Sequence, residues 1–70
     1  MNYTDFLDIL LAHGFECKRQ RGSHRIYEGF AGGRRQVVTV AYHRIGDEIL
    51  PKTFKSMIRQ SGLDPKLFRR

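Results

Sequence analysis

The apolar residues at the start of the chain recur at helical spacing. Over residues 4–13 they form one face of a predicted helix, which comprises Phe6, Leu7, Leu10 and Leu11. Either Asn2 or Thr4 can cap the N-terminus of this helix, and Gly14 follows as a stop signal. The sequence therefore predicts an N-terminal amphipathic helix.

From Phe15 the pattern changes to the alternation that is typical of strands. Phe15 and Cys17 alternate with charged residues, which predicts a first strand with Cys17 as a small core residue. A turn at residues 21–23 precedes a second strand over residues 24–30, and the Ala-Gly-Gly segment 31–33 predicts a hairpin loop. The β-branched segment 36–42 predicts the third strand.

The second strand could present either of two faces to the core. If Tyr27 is buried, Arg25 shares its face, and His24 points the other way together with Ile26. If Ile26 and Phe30 are buried, His24 begins on the buried side. The sequence leaves both alternatives open.

Helical spacing returns after a loop over residues 43–50. Pro51 suits the first turn of a helix that runs to about Ser61 and stops at Gly62. Its apolar face comprises Phe54, Met57 and Ile58, and Leu50 is expected to lead into this face. The opposite face carries a basic stripe made of Lys52, Lys55 and Arg59. The order predicts an α+β fold, α-β-β-β-α, with a three-stranded antiparallel sheet and two helices on one face.

Composition indicates one folded domain over residues 1–70 with an anionic partner. The chain is 40% hydrophobic, carries a formal net charge of +6 and has a pI near 10.1. Nucleic acid is the first candidate for such a partner and an anionic membrane the second. Residues 18–35 hold six Lys and Arg against one Glu, and this segregation favours a polyanion contact over a merely soluble surface.

The cysteine count and hydropathy favour a cytoplasmic protein. Cys17 is the sole cysteine, so no disulfide forms within the chain. We expect no membrane segment, because no apolar run approaches the length of a span and no signal-peptide pattern is evident.

The candidate chemistry centres on the basic stretch 18–27, where His24 follows Gly22 and Ser23. The glycines farther along lie between strands and do not form a phosphate loop. No metal-ligand spacing and no acidic pair occur in the basic region, so we expect neither a metal site nor a cofactor.

Metal-independent RNA cleavage needs a base, an acid and cations near the phosphate. Histidine can serve as the base or the acid near neutral pH, and arginines can supply the charge. His24 has Arg19, Arg21 and Arg25 close to it in the sequence. From residue types alone, a plain contact within a binding patch stays open beside catalysis.

Three segments together resemble the HicA toxin family. They are Gly22-Ser23-His24-Arg25-Ile26-Tyr27, Val38-Thr39-Val40 and the segment from Pro51 to Leu63. The resemblance implies a double-stranded-RNA-binding-domain-like fold and an mRNA endonuclease that a HicB antitoxin neutralises. From the basic charge of the chain we expect this partner to cover His24. The resemblance places the catalytic histidine at His24, with His43 as a secondary candidate. Where relatives often carry proline after the third strand, this chain has Ala41.

The RNA-binding residues are then expected on two basic segments. They are Lys18, Arg19, Arg21 and Arg25 around the first turn, and Lys52, Lys55 and Arg59 on the last helix, while Gly22 and Ser23 position the histidine. The alternative is an RNA-binding module that does not cut, using the helical stripe. A DNA-binding protein is disfavoured, because neither helix follows a helix-turn-helix arrangement.

Overall fold

A computed structural model describes residues 1–69 and has the predicted order of elements. The three strands form one antiparallel sheet in the order β1-β2-β3. The α-β-β-β-α prediction is therefore confirmed. The elements are helix α1 (Tyr3–Ala12), strands β1 (Glu16–Arg21), β2 (His24–Ala31) and β3 (Arg34–Ala41), helix α2 (Pro51–Ser61) and a terminal 3₁₀ turn (Pro65–Phe68).

Helix α1 begins one residue earlier than the apolar pattern indicated. The side-chain oxygen of Asn2 accepts a hydrogen bond from the backbone N–H of Asp5 at 2.9 Å, so Asn2 is the N-cap. Thr4 has another role, because its hydroxyl donates to the carbonyl of Ile45 at 3.2 Å. The start of α1 is thus bonded to the loop that precedes α2.

The β2–β3 hairpin is tighter than the Ala-Gly-Gly segment predicted. Gly32 and Gly33 both have positive φ, 63° and 78°, as a two-residue turn of the type I′ kind requires. Ala31 consequently belongs to β2 and pairs with Arg34 in β3. The short turn keeps the two strands in continuous register.

The core lies on one face of the sheet, and both helices cover that face. Tyr27, Val38 and Val40 point from the strands into a cluster that includes Phe6 of α1 and Met57 of α2. Burial of these residues removes apolar surface from water, which is the main stabilising contribution to such a fold. The opposite face of the sheet carries no helix among residues 1–69.

The orientation of β2 follows the first of the two alternatives. Tyr27 is buried, and Arg25 shares its face. His24 and Phe30, which lie three residues to either side of Tyr27, are exposed on the open face. Strand parity therefore settles on which side of the sheet each site residue lies.

Gly29 allows the chain after α1 to pack closely against β2. A Cβ atom at this position would lie 2.6 Å from the ring of Phe15, which is fully buried. Real Cβ atoms do not approach a neighbour so closely. Only glycine at this position leaves room for the Phe15 ring.

Cys17 is exposed, so the prediction of a small core residue is wrong. The register of the β1–β2 pair shifts between Cys17 and Arg19, as in a β-bulge. The Cys17 thiol donates to the Arg19 carbonyl at 3.5 Å. β1 is an edge strand whose six residues are all exposed, since the helices cover β2 and β3 instead.

Helix α2 agrees with its prediction except at its leading residue. It spans the expected residues, and Gly62 ends it in the left-handed conformation with φ of 67°. Met57 is buried, and Phe54 and Ile58 are half-buried. Leu50 was expected to lead into this apolar face, but it is 71% exposed because the extended backbone at the N-cap turns its side chain to solvent.

Within the described part of the chain, no helix has both the length and the apolar character that crossing a membrane requires.

Candidate functional site

His24 lies in a groove on the open face of the sheet. It is the first residue of β2, it is exposed, and its strand partners are Arg21 in β1 and Ala41 in β3. The groove has a volume of about 460 Å³ and is lined by Arg19, Gln20, Arg21, His24, Ile26 and Thr39. A solvent-accessible histidine is thus placed among cations on a concave surface.

The turn before His24 is held by two hydrogen bonds to one carbonyl. Gly22 has φ of 60°, which allows the tight reversal between β1 and β2. The carbonyl of Ser23 accepts from the backbone N–H of Tyr42 at 3.3 Å and from Nη1 of Arg25 at 3.2 Å. These bonds fix the backbone immediately before His24.

Two of the three arginines expected around His24 lie beside it, and the third does not. Arg19 and Arg21 line the groove. Arg25 is on the opposite face, because adjacent strand residues point to opposite sides of a sheet. Its guanidinium lies 4.1 Å from the centre of the Tyr42 ring, a cation–π arrangement. The expectation that Arg25 surrounds His24 is therefore corrected.

Lys18 lies outside the groove and is engaged in an ion pair. Its Nζ donates to Oε2 of Glu16 at 2.9 Å, and both side chains are exposed. This hydrogen bond and the accompanying attraction raise the pKa of Lys18 and lower the pKa of Glu16. Among the predicted RNA-binding residues of the first segment, only Arg19 and Arg21 accompany His24.

The basic stripe of α2 is exposed, but none of its residues lines the groove. Lys52, Lys55 and Arg59 point to solvent on the helix that packs beside β3. Gln60 of α2 is hydrogen-bonded to β3, which carries the groove residue Thr39. Its Oε1 accepts from the backbone N–H of Thr39 at 3.0 Å. The structure therefore separates the two sets of cations that the sequence predicted.

The secondary candidate, His43, is exposed in the segment after β3. It comes two residues after Ala41, the strand partner of His24, and it does not line the groove.

Three groove residues, Gln20, Ile26 and Thr39, were not among the site residues predicted from the sequence. Ile26 and Thr39 are cross-strand partners on the open face, and both line the groove. Strand alternation would have indicated them once the parity and register of β2 and β3 were known. Sequence patterns alone supply neither.

The groove holds a proton-transfer group and positive charge without a cluster of metal ligands. Nowhere in residues 1–69 do three or more His, Cys, Asp or Glu side chains converge so that they could hold a metal ion. The chemistry available from the lining residues is proton transfer by an imidazole and stabilisation of anions by guanidinium groups.

The fold and the groove define a small basic α+β domain with a histidine on the open face of its sheet. Over residues 3–63 the chain matches the model of a family described as the HicA toxin of bacterial toxin–antitoxin systems. The chain belongs to the HicA toxin family, as the resemblance predicted. Comparisons with curated proteins and with solved structures gave no significant match.

Membership of this family makes the protein the toxin of a toxin–antitoxin pair. The matched residues include every residue that lines the His24 groove.

Proposed function

We propose that the protein is an endoribonuclease that cleaves mRNA without a metal ion and uses His24 as its general acid–base group. The observation that carries this proposal is the exposed His24 in a groove beside Arg19 and Arg21. HicA family toxins are generally of the ribonuclease type, which supports the same activity. We also propose that the protein acts in the cytoplasm, where mRNA is found.

The reaction uses the 2′-hydroxyl of the substrate as its nucleophile. His24 removes the proton from this hydroxyl, and the 2′ oxygen forms a bond to the adjacent phosphorus. The bond from phosphorus to the 5′ oxygen breaks, and that oxygen takes a proton from the imidazolium or from water. The products are a 2′,3′-cyclic phosphate and a 5′-hydroxyl end.

Arg19 and Arg21 stabilise the charge that accumulates on the phosphate during this step. Guanidinium groups donate two parallel hydrogen bonds to phosphate oxygens and stay charged at every physiological pH. Both side chains are exposed and line the groove with His24. They therefore serve both substrate binding and catalysis.

The antitoxin partner is proposed to be a HicB-like protein that covers His24. A surface with acidic groups over the groove would neutralise the arginines and exclude the RNA at the same time. The net charge of +6 on the toxin favours association with such a partner.

Purified protein is expected to cut single-stranded RNA in the presence of EDTA, because the 2′-hydroxyl mechanism needs no metal ion. The measurement is product analysis by gel electrophoresis and mass spectrometry, which should detect cyclic phosphate ends. An oligonucleotide with deoxyribose at the scissile position should stay intact, since it lacks the nucleophile. Cleavage of this deoxy substrate, or a rate that falls to background in EDTA, would contradict the mechanism.

A second candidate function is RNA binding without cleavage, through the stripe on α2. Lys52, Lys55 and Arg59 are exposed and form no salt bridge to any residue that the structure describes. Such cations suit phosphate contacts that carry no sequence information. RNA that remains intact at high protein concentration would favour this candidate.

The salt dependence of RNA binding should identify which cations contact phosphates. Removing one phosphate contact reduces the slope of log K against log salt by about 0.7 for a single strand. We expect the double variant Arg19→Gln, Arg21→Gln to reduce the slope by about 1.4 on the same principle. The triple variant Lys52→Gln, Lys55→Gln, Arg59→Gln is the matched comparison, measured by fluorescence anisotropy from low to moderate salt.

If only the triple variant reduces the slope, the groove does not bind phosphate and RNA lies along α2 instead. That result would contradict the proposed role of Arg19 and Arg21.

A further inference from the structure

Phe30 is a large aromatic residue that lies exposed within a regular strand. Its side chain is 75% exposed, although it pairs in register with Arg35 of β3. His24 and Phe30 are six residues apart on β2, so both project from the open face. An exposed aromatic ring held on a rigid strand is available to a ligand on the same face as His24.

Phe30 is one end of an apolar stripe that leads to the His24 groove. Val37 is 41% exposed and pairs with Glu28, which makes it a diagonal neighbour of both Phe30 and Ile26. Ile26 itself lines the groove. We call these three residues, Phe30, Val37 and Ile26, the apolar stripe.

Ion pairs flank the stripe beside Phe30, and positive charge lies at its groove end. A hollow of about 230 Å³ lies beside Phe30, and its lining includes Lys18 and Arg35 together with their ion-pair partners Glu16 and Glu28. Arg35 pairs with Glu28 at 3.0 Å, and this pair holds the cation beside the ring. At its other end the stripe meets Arg19 in the groove.

We propose that the apolar stripe binds the bases of single-stranded RNA and that Phe30 is the residue on which a base stacks. This inference rests on the proposed ribonuclease function and extends it to the substrate class. Six residues of strand span about 20 Å, so Phe30 holds a base some nucleotides away from the phosphate at His24. The groove arginines then bind the backbone while the stripe binds bases.

Unpaired RNA fits this surface better than a duplex does. Bases in a duplex are stacked on each other and offer no free face, whereas a single strand can place a base on an aromatic ring. The continuity of the stripe with a basic groove favours a polyanion over a protein partner as its occupant.

The test measures the affinity of the full-length protein for a short 2′-O-methyl oligonucleotide, which cannot be cut. Loss of the stacking contact with one base should weaken the binding of Phe30→Ala by about fivefold or more. Phe30→Tyr keeps a ring and should bind like the unsubstituted protein. Leu11→Ala is the control, because Leu11 is an exposed apolar residue on α1, and it should leave the affinity unchanged.

A stacked base can be located with oligonucleotides that lack one base at a time. The unsubstituted protein should lose affinity at one such position, and Phe30→Ala should show no further loss there. A general loss of apolar surface would not produce this coupling between one residue and one base.

The inference is overturned if Phe30→Ala binds every oligonucleotide as the unsubstituted protein does. It is also overturned if Phe30→Ala loses affinity for the cognate antitoxin alone, which would make the stripe a protein-binding surface. Both results leave cleavage by His24 untouched. If the unsubstituted protein binds the oligonucleotides with the expected coupling but does not cut the matching RNA, the ribonuclease proposal fails and the stripe stands.

Discussion

His24→Ala is expected to reduce the rate of RNA cleavage by at least about 100-fold, because a positioned general acid or base contributes roughly 10²–10⁴-fold. The fold should persist, since His24 is exposed and surface substitutions change stability by about 0.5 kcal/mol or less. The measurement is the initial rate on one defined RNA, together with circular dichroism and the thermal midpoint of each variant. Growth arrest on expression in cells should be lost in parallel.

Two other histidines provide matched controls for this loss. His13 is exposed at the C-cap of α1, away from the groove, and His13→Ala should cleave at the unsubstituted rate. His43→Ala tests the secondary candidate and should retain most activity if His24 is the acid–base group. Full activity in His24→Ala would show that the imidazole takes no part in the reaction.

A measurement of RNA affinity distinguishes a catalytic role of His24 from a role in binding alone. If His24 acts on the substrate, His24→Ala should bind a non-cleavable RNA within a few fold of the unsubstituted affinity while the rate collapses. An equal loss of affinity and rate would make His24 a binding residue, which is the alternative that the residue types alone left open.

The order of elements could be predicted because the hydrophobic period changes at two points. Helical spacing ends at Gly14, alternation and β-branched residues follow, and helical spacing returns at Pro51. Glycine and proline mark these changes by backbone constraints that hold in any tertiary context. Such local signals are sufficient for the existence and type of each element.

The parity of β2 could not be predicted, because both of its faces carry apolar residues. Tyr27 lies on one face, and Ile26 and Phe30 lie on the other. The choice depends on tertiary packing, in which Gly29 admits the ring of Phe15 on the Tyr27 side. No local pattern contains that contact.

This one choice decides the composition of the candidate site. It places His24 with Arg19 and Arg21 on the open face, and it sends Arg25 to the other side against Tyr42. The sequence motif therefore identified the right segment, but it could not show which of the segment's arginines share a face of the sheet with His24. Cys17 was mispredicted for a related reason, since the helices cover β2 and β3 and leave the edge strand β1 exposed, and no local pattern shows this.

Concentration of both helices on one face has a functional consequence. The core residues Tyr27, Val38 and Val40 alternate along the strands with the groove residues Ile26 and Thr39. The two strands that carry His24, Ile26 and Thr39, β2 and β3, are thus anchored from behind by the core. The groove geometry should depend on the stability of the packing beneath it.

Phe6→Ala is expected to destabilise the protein by about 3–5 kcal/mol, the usual loss for a large buried aromatic residue. Phe6 is fully buried, its ring stacks on Phe68 at 4.8 Å, and it meets the edge of Phe54 at 6.1 Å. It therefore joins α1, α2 and the terminal 3₁₀ turn. A domain of this size has a total stability of only about 4–10 kcal/mol, so the variant should be largely unfolded at modest urea concentrations.

The measurement is the free energy of unfolding from urea titration, with Leu11→Ala as the matched control on the same helix. Leu11 is 54% exposed, so its truncation should cost far less than that of Phe6. Near-equal losses in the two variants would mean that the aromatic cluster does not hold the helices together. Because α2 is also hydrogen-bonded to β3 through Gln60 and Thr39, loss of the aromatic cluster should make β3 less rigid as well. Cleavage by Phe6→Ala should then fall with its folded fraction, although no substrate-contacting residue has been changed.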